Sequence, residues 1–99
     1  MSDKIVIDEY ILSTLMRDLV EHDRSPSGFL VYLHLIAETK RLATPWVRAS
    51  YQTMAESTGL SKSAVQIAIQ GLVKRELLRV KKDSATATPE YRVRRPWRR

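Results

Sequence analysis

Apolar positions in this chain recur first at helical spacing and last at strand spacing. Ile11, Leu12, Leu15, Met16, Leu19 and Val20 follow one another at intervals of three and four, which predicts a helix from about Asp8 that fades by Asp23. Asp8 and Glu9 suit the positive end of its dipole. Ahead of it, Lys4-Ile5-Val6-Ile7 reads as an arm or an edge strand. Ser25 is a cap and Pro26 a first helical residue, so a second helix starts there. Its stripe is Phe29, Leu30, Leu33, Ile36 and Ala37, widened by Val31, Tyr32 and Leu35, which predicts a helix covered on more than one side and ending near Leu42. Trp46-Val47-Arg48-Ala49 reads as a brief strand, with Trp46 plugging the core.

The next stretch is a helix pair. Ser50 caps a helix from Tyr51 to Ser57, Gly59 supplies a sharp turn, and Ser61 caps a helix running to about Glu76. On that last helix Val65, Ala68, Ile69, Leu72 and Val73 share one face, and small Ala55 lets its neighbour approach. Gly71 weakens a helix interior, so a close packing contact is expected at it. The period then changes to two. Leu78 and Val80 alternate with Arg79 and Lys81, and Tyr91 and Val93 alternate with Arg92 and Arg94, around a small, polar loop at 83–89. The expectation is a mostly α chain with a small β-hairpin (α+β): an arm and helix over 1–24, a main domain over 25–94, and a basic tail over 95–99 that is mobile when unbound.

Charge sharpens this picture. Residues 1–23 carry six acids against Lys4 and Arg17, a net −4, whereas residues 74–99 carry ten bases against Glu76, Asp83 and Glu90, a net +7. Such polarity points one end of the molecule at a polyanion. Without cysteine there is no disulfide, thiolate metal site or thiol nucleophile. His22 and His34 are isolated, the carboxylates read as helix-surface charge, and no nucleophile motif or phosphate-binding glycine loop is present. No enzyme, cofactor, metal or small-molecule ligand is expected. With no signal-like or membrane-spanning apolar run, the expected location is cytoplasmic, with the nucleoid as the DNA-bound state.

Everything after Ser25 resembles the winged helix-turn-helix family of bacterial DNA-binding proteins. The resemblance rests on Ala55 with Gly59 four residues on, Leu60-Ser61 next, Val65 inside the following helix, and the hairpin ending Glu90-Tyr91-Arg92-Val93. It implies that helix 61–76 enters the major groove, with Lys62, Ser63 and Gln66 deepest. The exposed chemistry suits base edges: Gln66 and Gln70 can address adenine, Lys62 guanine, Ser63 either, and Ile67 a thymine methyl. The resemblance also implies that hairpin 78–94 lies along the backbone or in the minor groove. Ser50, Lys74, Arg79, Lys81, Lys82, Arg92, Arg94 and Arg95 form the expected backbone set, with the arginine tail and Trp97 as a minor-groove arm. Neutralising about six phosphates corresponds to a log–log salt slope near −5.

The leading expectation is therefore sequence-specific binding of double-stranded DNA by a small transcriptional regulator. The N-terminal helix is an addition to that fold, and its stripe of Leu12, Leu15, Met16, Leu19 and Val20 is the expected homodimer contact. A winged-helix component of a plasmid or phage replication or partition system, and a protein–protein adaptor, are the alternatives that the same residues allow.

Overall fold

A computed structural model describes residues 3–98. Its first residues, 3–8, form neither helix nor paired strand; Ile7 is half-buried against the core and Val6 is exposed. Residues 9–22 are then continuously helical. Over Ile11–Leu15 and Asp18–His22 this N-terminal helix is of the wide π type, in which hydrogen bonds span five residues. The wider turn brings residues four apart close to one line. Ile11, Leu15 and Leu19 are buried, while Leu12, Met16 and Val20 stay 49%, 40% and 39% exposed. The expected dimer stripe is thus divided: Leu15 and Leu19 belong to the core of their own chain.

Helix α1 (Pro26–Leu42) begins as its sequence requires. Ser25 Oγ accepts a hydrogen bond from the Gly28 N–H at 3.0 Å, and Pro26 occupies the first turn. A Cβ on Gly28 would fall 2.6 Å from Ser25 Oγ, so the cap depends on glycine there. Phe29, Val31, Tyr32, Leu35 and Ile36 are buried, and Leu30, expected in the stripe, is 43% exposed. The buried face is centred on the residues that widen the stripe, because the N-terminal helix, α2 (Tyr51–Thr58), α3 (Lys62–Lys74) and two strands all pack on α1.

The strands are β1 (Val47–Arg48), β2 (Leu78–Lys81) and β3 (Glu90–Val93), antiparallel in the order β1-β3-β2. The hairpin pairs Leu78 with Val93 and Val80 with Tyr91, and β1 adds Val47 opposite Tyr91. The result is an α+β fold in which helices cover one face of a small sheet. Val47, Leu78 and Tyr91 join Met54, Val65, Ala68, Ile69 and Leu72 in one core.

Five expectations fail here. Helix α3 stops at Lys74 rather than Glu76: Glu76 takes a left-handed φ of 60°, the Glu76 N–H donates to Val73 O, and the Leu77 N–H donates to Leu72 O. Val73 is 39% exposed instead of buried, and Gly71 faces open space, with nothing within 4 Å of an added Cβ. Trp46 is only half-buried and lies outside the core, with the Lys81 ammonium 4.6 Å from its ring centre. Trp97 packs against the core in its place, because the tail is docked. The Arg98 N–H closes a turn on Arg95 O, Trp97 stacks on Tyr10 at 4.6 Å, and Asp8 Oδ2 lies 3.5 Å from Arg95 and 3.6 Å from Arg98. The expected mobile arm is therefore a folded turn over 95–98; Arg99 lies outside the described residues. Among the described residues, no helix is long and apolar enough to cross a membrane.

Candidate nucleic-acid interface

The α2–α3 pair is rigid at each end for reasons written in its sequence. Ser50 Oγ accepts from the Thr53 N–H and Ser61 Oγ from the Ala64 N–H, both at 3.1 Å, so each helix has a side-chain N-cap. Between them Gly59 adopts φ 82° and closes α2 through a 2.9 Å bond from its N–H to Ala55 O. Thr58 Oγ1 donates to Met54 O and accepts from the Leu60 N–H, which fixes the turn further.

With Val65, Ala68, Ile69 and Leu72 turned inward, α3 presents Lys62, Ser63, Gln66, Ile67 and Gln70 to solvent. Ile67 is 68% exposed in the middle of this face. Among the described residues Lys62, Gln66, Gln70 and Lys74 make no side-chain hydrogen bond or ion pair, so their donors and acceptors are available. The residues expected to read bases are therefore gathered on one surface.

The expected backbone residues are not. A cleft of about 710 Å³ opens between α3, the start of α2 and the hairpin loop. Ile69, Val73, Val80, Pro89 and Tyr91 are among its apolar lining residues, and Ser50, Lys62, Gln70, Lys74 and Lys82 line it too. No carboxylate is among its lining residues. Lys82 donates to Ala85 O within its own loop at 3.1 Å, which holds the ammonium near the loop. At the floor, burial pushes the Tyr91 phenol up to about 12, with a smaller contribution from Tyr51, so it stays protonated and uncharged across the physiological range.

Arg79, Lys81 and Arg92 alternate with the cleft-lining Val80 and Tyr91 and so project from the opposite face of the sheet. There Glu90 is shared: Arg48 Nη2 lies 2.9 Å from its carboxylate and Lys81 Nζ 3.2 Å. These hydrogen bonds, Arg48's first and Lys81's second, hold the Glu90 carboxyl below its ordinary range. Lys81 is thus ion-paired within the fold and also lies over the Trp46 ring. Next to it Arg79, Arg92, Arg94, Arg95 and Arg98 line a second basin of about 570 Å³. The cleft and this basin have no lining residue in common.

The strand alternation made the sheet's outward arginines legible in the sequence. It left the cleft hidden, because Tyr51, Val80 and Pro89 carry no signal until β3 is placed beside α3. Among the described residues no group of acids and histidines is arranged to hold a metal ion. His22 instead lies 2.9 Å from Asp23, and His34 is half-buried, its pKa lowered by burial first and Arg41 second. Comparison with family models, curated proteins and solved structures returned no match.

Proposed function

We propose that this chain is a winged helix-turn-helix protein that binds double-stranded DNA in a sequence-dependent manner, most simply as a small regulator of transcription. One observation carries the reading. The outer face of α3 sets free amide and ammonium groups beside the Ser63 hydroxyl and the apolar Ile67, and the cleft flanking it is rimmed by Lys62, Lys74 and Lys82 without a carboxylate. Helix α3 lies in the major groove. Gln66 and Gln70 pair with adenine edges, Lys62 donates to guanine, Ser63 addresses either, and Ile67 covers a thymine methyl. One phosphate strand follows the cleft past Ser50, Lys74 and Lys82, which set register without reading sequence.

A second copy covers the exposed line Leu12, Met16 and Val20, giving a symmetric dimer that addresses two half-sites. Selection of bound duplexes from a random library tests both parts. An enriched motif arranged as an inverted repeat is the expected outcome; recovery of an unenriched pool, or no binding at low salt, rejects sequence-dependent binding.

A further inference from the structure

We infer that the outer face of the sheet is a second phosphate-binding surface, which grips the backbone of a second duplex while α3 holds the first. The protein is thereby a bridge between two DNA segments. The inference rests on the α3 reading for the first duplex; its own ground is the arginine basin.

Arg79 and Arg92 are directly opposed across β2 and β3. Like charges in that position repel and destabilise a strand pair. The next row of the same face shows how the fold relieves such repulsion: Glu90 sits between Arg48 and Lys81 and pairs with both. Arg79 and Arg92 have no ion-pair partner among the described residues and no carboxylate is among the residues that line their basin, although Glu76 lines an adjoining hollow with Arg79 and Arg94. Arg94, Arg95 and Arg98 extend the basin toward the C-terminal turn. Asp8 pairs with Arg95 and Arg98, two of these arginines, and not with Arg79, Arg92 or Arg94. An anion from outside completes the set.

The chemistry selects phosphodiester. Arginine forks match phosphate oxygens in pairs, and a row of them suits a polyanion better than a single small ion. The surface carries no amide side chain for a base edge, so it binds without sequence preference and with strong salt dependence. It is also a different surface from the reading face. Val80 and Tyr91 line the cleft beside α3, while Arg79 and Arg92 leave the same strands on the other side. A duplex seated on α3 leaves the basin free.

The test uses the full chain, a biotinylated duplex on beads and a fluorescent duplex of unrelated sequence in solution. The wild type is expected to retain the fluorescent duplex at low salt. Arg79→Ala/Arg92→Ala, two exposed positions whose loss leaves the circular dichroism unchanged, is expected to lower that capture tenfold or more while still binding the bead-bound duplex. Retention that persists in this variant overturns the inference, since two reading heads of a dimer then account for bridging. So does binding of the first duplex without capture of the second. Basin-dependent binding of polyglutamate, with no second duplex captured, also overturns it and assigns the face to an acidic protein. Failure of the α3 reading looks different: Lys62→Ala/Gln66→Ala then leaves first-duplex binding intact, and all binding depends on Arg79 and Arg92.

Discussion

Among the described residues, four helices are followed by a residue in the left-handed conformation: Arg24, Ala43, Gly59 and Glu76. Only Gly59 lacks the Cβ that strains this conformation. The left-handed region costs an L-residue about 1–2 kcal/mol, and glycine gives back about 0.4–1 kcal/mol through the unfolded chain. Glu76→Gly is therefore expected to raise stability by about 0.5–1 kcal/mol, read from the urea midpoint at constant slope. Gly71→Ala is expected to gain about 1 kcal/mol, because the position is helical, exposed and open. A loss at Gly71→Ala would mean that something covers this surface. These positions also explain the misplaced end of α3. The sequence marks a helix end by glycine, and at Glu76 a charged residue does the same work, held by bonds to Val73 and Leu72 that no local pattern announces.

His34 adds a pH dependence at the same scale. Burial, then Arg41, lower its pKa in the fold, so the neutral ring is favoured there. Its contribution is complete above the unfolded value of about 6.5 and is lost as pH falls through the lower folded value. A nuclear magnetic resonance titration should place His34 below about 6.5, and His34→Gln should flatten the loss of stability in that acid window. A titration midpoint at or above the ordinary value contradicts the account.

At the scale of elements, the hairpin was legible because its period of two is unbroken over Leu78–Lys81 and Glu90–Val93. The capped starts of α1, α2 and α3 were equally legible, since Ser25, Ser50 and Ser61 each accept the bond their position predicts. The partner of β1 was not, because two residues have no period. Nor was the docking of the tail, which depends on a ring stack between Tyr10 and Trp97 and on Asp8 beside Arg95 and Arg98. The N-terminal helix shows a subtler limit. Its spacing identified the apolar residues, but the π-type turn decided that Ile11, Leu15 and Leu19 go inward and Leu12, Met16 and Val20 stay out. Met16→Glu is expected to convert a dimer to a monomer in light scattering without unfolding it. An unchanged mass removes this line as the contact between copies.

For the whole molecule, the charge polarity of the chain is partly cancelled by folding. Asp8 meets Arg95 and Arg98, Asp23 meets Arg75, and Glu90 meets Arg48 and Lys81. Two groups of cations are left with no acid among the residues that line them, the lysine-rimmed cleft beside α3 and the arginine basin on the far side of the sheet. A sequence total cannot separate these, since Lys82 and Arg79 count alike until the strands fix which way each points. In the bound complex, removal of Lys74 or Lys82 is expected to weaken all duplexes alike and to reduce the log–log salt slope by about 0.9 each.

The central claim is that α3 reads DNA, and its most direct test is a titration of wild type and Gln66→Ala against a selected duplex and a scrambled one, at low and at moderate salt. The account predicts tight binding of the selected duplex that weakens steeply with salt, and a loss of about 1–3 kcal/mol for Gln66→Ala on the selected sequence alone. Equal losses on both duplexes, or no binding by the wild type at low salt, would contradict it.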